Sequence, residues 1–199
     1  MTFPELLGQA LAKIRALPSS IWKLEAKFKG AQCAPDVLFL GRPLISRCAG
    51  STMIFSEGVR IHSALRSNPM GCFQPAVLRT MTPEARLELA QNVGLSAAVI
   101  VAGNSIVIGE GTIIGAGAMI LDNDFHAPGD QWKWICDYKS NARPVRIGRG
   151  VFVGARAIIL KGVTIGDRAV IGAGAVVSRD VPAGAIAVGN PAMIKGRKE

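Results

Sequence analysis

Residues 147–182 read IGRGVF VGARAI ILKGVT IGDRAV IGAGAV VSRDVP, six units of six residues in one unbroken frame. Each unit begins with an aliphatic residue, and a second small or branched apolar residue follows four positions later. The leading residues are Ile147, Val153, Ile159, Ile165, Ile171 and Val177, and the second set is Val151, Ala157, Val163, Ala169, Ala175 and Val181. A fixed period of this kind indicates a repeat architecture in which each unit stacks on its neighbours.

The six-residue period fits neither the period of about 3.6 residues of an α-helix nor the simple alternation of a strand. It does fit short strands joined by tight turns, with both apolar sets pointing inward and glycine supplying turn conformations. Strands of successive coils would then pair and satisfy the backbone. The sequence therefore predicts an all-β solenoid, a parallel β-helix whose open ends need caps. A flexible Gly-rich linker is disfavoured, because linkers do not keep aliphatic residues in register.

The chain has 199 residues and predicts one domain with a sizeable core. Its 23 Lys and Arg against 14 Asp and Glu give a formal charge of +9. Such a balance admits nucleic acid, membrane lipid or anionic small molecules as partners. Because the basic residues are scattered and form no nucleic-acid module, the phosphates of a cofactor or an anionic surface are favoured over nucleic acid.

Cysteine and histidine are few and widely separated. They are Cys33, Cys48, Cys72, Cys136, His62 and His126, with no close cysteine pair and no zinc-finger spacing. We expect reduced thiols and no metal site. Charged residues interrupt the early apolar run, and no apolar stretch is long enough for a bilayer, so the predicted location is cytoplasmic.

Residues 1–30 are predicted to form an N-terminal helical cap. A first helix is expected over residues 2–17, and a second begins at Ser19 or Ser20 and ends at Gly30. Ile21, Leu24 and Phe28 fall on one side of this second helix. The cap would cover the first open coil. The alternative is a basic amphipathic surface at the inner face of a membrane.

The predicted coil covers residues 31–185, and residues 186–199 form a basic tail. Its first half has degraded repeats, with an outward excursion over residues 68–82. Residues 82–92 carry a helix-start signal, but a coil strand is preferred there because the period returns. The expected inward residues of this half are Ala49, Met53, Phe55, Val59, Ile61, Leu65, Leu89, Val93, Leu95, Val99 and Val101, with a one-residue slip near Gly103 and Asn104.

A second interruption separates Ile120 from the regular repeats. Residues 121–146 read LDNDFHAPGDQWKWICDYKSNARPVR, a charged and aromatic segment inside an otherwise regular solenoid. A long insertion of this kind is usually functional. The imidazole of His126 is the side chain best suited to proton transfer near neutral pH. From the residues alone, a single loop histidine is more often an ordinary surface residue.

These segments, together with NPMG (68–71), PAVLRT (75–80), NVGLS (92–96) and GNPA (189–192), resemble the hexapeptide-repeat acyltransferases. The resemblance is to the branch of sugar O-acetyltransferases, similar to maltose or galactoside and colanic-acid or lipopolysaccharide O-acetyltransferases. It implies a left-handed parallel β-helix with roughly three hexads per coil, although the general crossover rule would predict the opposite hand. It also implies a homotrimer with the site between neighbouring subunits.

The resemblance further implies a direct transfer from acetyl-CoA to a hydroxyl of a sugar, a glycolipid or a polysaccharide precursor. His126 closes the motif DNDFH and matches the general base of the family. Asp122 and Asp124 are then candidates to orient it. Ser96 lies near the family's second acceptor-binding position, with an ordinary turn serine as the alternative, and Trp132 and Tyr138 of the excursion are further candidates for the acceptor.

Coenzyme A would lie along the coils after the excursion. The family positions for it are Phe152, Gly154, Ala155, Ala173, Ser178 and Arg179, and Lys195 and Arg197 are candidates for the phosphates. Two other interpretations stay open, an N-acyltransferase on an amino-sugar nucleotide and a non-catalytic β-helical scaffold. A γ-type carbonic anhydrase is rejected, because it needs three histidine ligands and this chain has two histidines.

Overall fold

The computed structural model describes residues 19–197, of which residues 19–28 are helical and the remainder consists of short strands joined by turns and loops. The predicted helix over residues 2–17 lies outside the described part of the chain. In chain order the strands are β1 (Gln32–Cys33), β2 (Leu38–Leu40), β3 (Leu44–Ser46), β4 (Thr52–Phe55), β5 (Arg60–His62), β6 (Val77–Thr80), β7 (Arg86–Leu89), β8 (Gly94–Ser96), β9 (Val99–Ala102), β10 (Ser105–Ile108), β11 (Ile113–Ile114), β12 (Met119–Leu121), β13 (His126–Pro128), β14 (Trp134–Cys136), β15 (Val145–Ile147), β16 (Phe152–Val153), β17 (Ile158–Ile159), β18 (Thr164–Ile165), β19 (Val170–Ile171), β20 (Val176–Val177), β21 (Ala185–Val188) and β22 (Met193–Arg197).

The coil strands form three sheets, which we name by the faces of the solenoid. Sheet A has the order β1-β4-β7-β10-β15-β18, sheet B the order β2-β5-β8-β11-β16-β19-β21-β22, and sheet C the order β3-β6-β9-β12-β17-β20. Successive strands within each sheet pair in parallel, except that β22 runs antiparallel to β21. The chain visits the three sheets in turn, so the fold is a parallel β-helix with a helix at its N-terminal end.

The strict hexads occupy the positions that the sequence predicts for them. Ile147 of sheet A pairs with Ile165, Val153 of sheet B with Ile171, and Ile159 of sheet C with Val177. The residue four positions after each leading residue is buried as well. Three hexads therefore complete one coil, and the two apolar sets fill its narrow interior.

In the degraded repeats of the first half, four residues that the sequence predicts to point inward do not. Ala49 is exposed in a corner and Leu65 is 67% exposed, whereas Ile45 takes an inward position. Ile100, not Val101, pairs with Leu78 and Ile120 in the inward column of sheet C, and Val99 lies in the outward column with Val77 and Met119. The reason is a coil step that is one residue short before Ile100, followed by a longer corner around Gly103. Neighbouring aliphatic residues look alike in sequence, so the shift leaves no local signal.

The first excursion begins and ends earlier in the chain than expected. The chain leaves sheet B after His62 and returns at Val77, because residues 77–80 form the coil strand β6 with Leu78 fully buried. The preference for a strand over the helix-start signal at residues 82–92 is correct, since Arg86–Leu89 pairs in sheet A.

Both ends of the coil are covered. The side chain of Ser19 accepts a hydrogen bond of 2.9 Å from the backbone N–H of Phe39, and Ala26 is fully buried against the first coil. The side that carries Ile21 and Phe28 faces outward, with 60% and 90% exposure. At the other end, β21 extends the coil to Val188 and β22 folds back along it. Within residues 19–197, no helix is long and apolar enough to cross a membrane.

Two edges of the prism matter for function. The B–C edge contains the corners between sheets B and C, and the loop 63–76 leaves the coil there. The C–A edge contains the corners between sheets C and A, and the segment 122–144 leaves the coil there. The two excursions therefore stand on the two edges that flank sheet C.

Candidate active site

The segment 122–144 folds into an antiparallel hairpin. Its strands β13 and β14 pair His126 with Cys136 and Pro128 with Trp134. Gln131 and Trp132 form the tip with φ of 55° and 64°. Both residues have positive φ, a geometry that matches the right-handed twist of a hairpin.

Asp122 fixes the root of this hairpin to the coil. Its side chain is fully buried, and its two carboxylate oxygens accept hydrogen bonds of 2.6 and 2.7 Å from the backbone N–H groups of Gly103 and Asn104. Asn123 donates a further bond of 2.8 Å to it. A Cβ at position 103 would collide with the carbonyl oxygen of Tyr138, so only glycine fits this corner.

One face of the hairpin carries the polar and aromatic groups of an open cavity. His126, Pro128 and Trp134 share this face, because residues directly opposite or two apart in a strand pair point to the same side. The cavity has a volume of about 660 Å³ and is lined by Asp124, His126, Pro128, Trp134 and Asn141. It opens to solvent next to the coil.

His126 carries the only ionisable ring among the described residues that line this cavity. Its side chain is exposed, and its imidazole makes no hydrogen bond to any residue in the range 19–197. Its backbone N–H is held by the carbonyl oxygen of Asp124 at 2.8 Å. The ring is thus placed by an ordered backbone while both of its nitrogen atoms stay available for a ligand.

The two predicted acidic partners have different surroundings. Asp124 lines the cavity with His126, but its carboxylate forms an ion pair with Lys161 of the next coil. Asp122 uses both oxygens on the coil corner and makes no contact with the imidazole. Asp122 therefore holds the hairpin root, and the expectation that it orients His126 is not what the contacts show.

The two predicted aromatic residues of the excursion lie outside the cavity. Trp132 stands fully exposed at the hairpin tip. The ring of Tyr138 packs edge-on against Phe125, with 6.5 Å between ring centroids. A hydrogen bond with the thiol of Cys136 raises the pKa of Tyr138. The sequence analysis missed four residues of this region, Pro128, Trp134, Asn141 and Lys161.

Ser96 lies on the other flank of sheet C. It is 7% exposed on the B–C edge, and its hydroxyl accepts a hydrogen bond of 2.9 Å from the side chain of Asn68. The loop 63–76 also places Phe73 beneath the guanidinium of Arg156, 5.2 Å from its ring centroid. Within one chain, Ser96 is therefore on a different edge from His126.

The predicted coenzyme positions divide between the same two edges. Gly154, Ala155 and Ala173 stack along the B–C edge, next to the half-exposed Phe152 of sheet B. Ser178 and Arg179 are exposed on the C–A edge, after β20. Lys195 is exposed in β22, where Arg197 ends the strand. Among residues 19–197, no group of three or more His, Cys, Asp or Glu side chains could hold a metal ion.

Comparison with protein families identifies the repeat. The family described as the hexapeptide repeat of succinyl-transferase matches residues 144–179, the strict part of the coil. Nodulation protein L of Rhizobium meliloti (strain 1021) is 68% identical over 54 residues. This match covers 27% of the present chain and 30% of the relative, so less than a third of that relative's length is matched.

Solved structures share the coil. A variant of AntD, an N-acyltransferase from Bacillus cereus in complex with dTDP-4-amino-4,6-dideoxyglucose and coenzyme A, superimposes with a TM-score of 0.65 at 18% identity, over 89% of each chain. A maltose O-acetyltransferase from Clostridium difficile 630 superimposes with a TM-score of 0.51 at 21% identity, over 85% of this chain and 70% of that one. Identities this low show the fold alone. Residues 144–179 therefore carry the hexapeptide repeat, and the chain has a left-handed β-helical fold that it shares with these solved acyltransferases.

Proposed function

We propose that this chain is an acetyl-CoA-dependent O-acetyltransferase that acts on a hydroxyl of a sugar or of a polysaccharide or lipopolysaccharide precursor. The observation that carries the proposal is the free imidazole of His126 in an open cavity on an anchored hairpin. The fold that the chain shares with a maltose O-acetyltransferase supports it.

In the proposed reaction, His126 acts as the general base. It takes the proton of the acceptor hydroxyl as the oxygen attacks the thioester carbonyl. The new C–O bond forms and the C–S bond breaks, and the proton passes from the imidazole to the departing sulfur of coenzyme A. A backbone N–H group of the coil would stabilise the developing oxyanion. No acyl-enzyme is formed, so no nucleophilic side chain is needed.

The surface that would hold coenzyme A fits an extended chain with a charged end. The stacked corners at Ala155 and Ala173 have small side chains, and a Cβ added at the adjacent Gly174 would meet no atom within 4 Å. Arg179 and Lys195 are exposed cations at the end of the coil and can bind phosphate oxygens. These residues offer a shelf for the pantetheine arm and charges for the phosphates.

A homotrimer is part of the proposal. The outward row of sheet C is an unbroken ladder of Leu44, Val77, Val99, Met119, Ile158 and Val176. The outward row of sheet A is mixed instead and consists of Gln32, Ile54, Glu88, Val107, Arg146 and Thr164. A flat aliphatic face of this extent is typical of a surface that packs against another copy. A closed ring buries this face in every subunit.

Such a ring also explains why one chain separates its candidate residues. In the ring, the groove beside each packed sheet C is formed by one edge from each of two neighbouring subunits. The coenzyme shelf on the B–C edge of one copy would then lie beside His126 on the C–A edge of the next. The site would be complete only in the assembly.

An N-acyltransferase acting on an amino-sugar nucleotide is the second candidate. The observation in its favour is the higher TM-score of AntD, which was solved with an amino-sugar nucleotide and coenzyme A. The same histidine would accept a proton from the acceptor ammonium or amine. The two candidates differ in the acceptor atom and not in the role of His126.

The test is release of the coenzyme A thiol from acetyl-CoA across matched hydroxyl and amine acceptors. We expect turnover with a sugar hydroxyl, and a fall of about 10²- to 10⁴-fold in kcat for His126→Ala. His62→Ala is the matched control, because His62 contacts the carbonyl oxygen of Ser67 and lies outside the cavity.

Native light scattering on both variants checks that each keeps three times the mass of one chain. Turnover only with amines would replace the first candidate by the second. A His126→Ala variant with wild-type turnover would remove the histidine from the mechanism, and no thiol release with any acceptor would favour a scaffold.

A further inference from the structure

The cavity beside His126 has one large apolar wall, the indole of Trp134. This side chain is 70% exposed although it stands in an ordered strand. Its Cα partner across the hairpin is Pro128, so a rigid ring stands beside the indole on the same face of the hairpin. Large exposed aromatic surfaces inside a cavity are typical of ligand contacts, because burying them against a ligand is favourable.

The position of this wall relative to the base is fixed by the hairpin register. Pro128 follows His126 by two residues on the same strand face, a step of about 6.8 Å, and Trp134 lies directly opposite Pro128. A ligand ring resting on the indole would therefore present one edge to the imidazole. The remaining polar groups of the cavity, Asp124 and Asn141, lie around the same opening.

We propose that Trp134 determines acceptor specificity, and that the acceptor is a pyranoside bound with a C–H face of its ring against the indole. A pyranose combines such an apolar face with hydroxyl groups around its edge. The face packs on the π surface, while the edge meets His126 and Asn141. Acyclic polyols and amino acids have the polar groups without the flat apolar face.

Trp132 provides a built-in comparison. It belongs to the same hairpin and has the same side chain, but it stands fully exposed at the tip and does not line the cavity. The two tryptophans differ only in where the turn and the strand pleat place them. If loss of any hairpin surface weakened acceptor binding, substitution of either tryptophan would do so. If the acceptor rests on the indole, only substitution of Trp134 weakens its binding.

This inference rests on the proposed acetyl transfer, and the experiment separates the two. Steady-state kinetics are measured for wild type, Trp134→Ala, Trp134→Phe and Trp132→Ala with methyl pyranosides and with acyclic alditols. We expect Trp134→Ala to raise the KM for pyranosides at least tenfold while the KM for acetyl-CoA stays unchanged. Trp134→Phe should recover most of the loss, and Trp132→Ala should behave as wild type. Alditols should respond equally little to all three substitutions.

An unchanged pyranoside KM in Trp134→Ala, or an equal rise in the KM for acetyl-CoA, would overturn the inference. If that result accompanies a large loss in His126→Ala, the proposed function stands and only the inference fails. If wild type releases no thiol, quenching of tryptophan fluorescence by methyl pyranosides takes the place of kinetics. Quenching that is present in Trp132→Phe and absent in Trp134→Phe supports the inference, and equal quenching in both contradicts it.

Discussion

The two excursions from the coil differ in how they meet it. The loop 63–76 lies along the B–C edge and is joined to the coil by side chains, through Asn68 to Ser96 and through Phe73 to Arg156. The hairpin 122–144 is held at its root by buried bonds of Asp122, and most of its strand residues beyond the root are exposed.

This difference indicates two kinds of loop in one solenoid. The loop 63–76 covers the B–C edge through several weak contacts near the surface. The hairpin 122–144 is firmly held only at its root, and its aromatic side chains stay exposed and can contact another molecule. Substitution at the hairpin root should therefore lower the free energy of unfolding far more than substitution in the loop 63–76. Changes along the hairpin strands should affect activity and not stability.

The largest effect is expected at the hairpin root. Asp122→Ala leaves two backbone N–H groups in the coil without an acceptor, which should lower the free energy of unfolding by about 2–5 kcal/mol. Urea unfolding measures this. Asp180→Ala is the matched control, because its carboxylate accepts one exposed N–H, that of Thr164, at 2.7 Å. Equal losses in the two variants would contradict the role given to Asp122.

A change in the hairpin strands should alter activity and leave stability unchanged. A maleimide on Cys136, the exposed thiol opposite His126, should abolish thiol release from acetyl-CoA because the adduct crowds the imidazole. Burial raises the pKa of Cys33 to about 11, so this thiol should react slowly. The Cys136→Ala variant should keep its activity and resist the reagent, as measured by residual turnover and by mass spectrometry of the labelled peptide. Inactivation of Cys136→Ala at the wild-type rate would refute the assignment.

The smallest effect is expected in the loop 63–76. Phe73→Ala removes an exposed contact between the ring and the guanidinium of Arg156, so it should lower the free energy of unfolding by about 0.5–1 kcal/mol. Phe28→Ala is the control, since this ring is 90% exposed on the helical cap. A loss as large as that of Asp122→Ala would remove the distinction between the two excursions.

The sequence predicts the fold best where each coil step has the same length. Between residues 147 and 182 every step has six residues, so Ile147, Val153 and Ile159 are assigned to three successive faces without error. One shortened step before Ile100 and one long corner at Gly103 are enough to misplace Val101. Corner length is decided by contacts such as those of Asp122, which connect residues 18 and 19 positions apart.

The candidate site shows the same limit. His126 could be chosen from its motif, and the structure places it in the cavity. Whether Trp132 or Trp134 faces that cavity depends on where the hairpin turns, and a turn at Gln131 and Trp132 without glycine gives little sequence signal. The alternation of His126 and Pro128 along β13 would have selected Trp134, had the register been known. Lys161 comes from the next coil, so no local motif includes it.

The closed C-terminal end of the coil has a consequence for the behaviour of the protein at high concentration. A stack of parallel strands could in principle grow by adding another chain at its last coil, as fibrils do. Here β22 reverses direction over β21, and residues 189 and 192 bond to both backbone groups of Val176, so β21 of sheet B and β20 of sheet C are already paired. The parallel ladder of sheet B therefore ends in an antiparallel strand, which disfavours the addition of another parallel coil at that end and leaves lateral packing as the route to assembly.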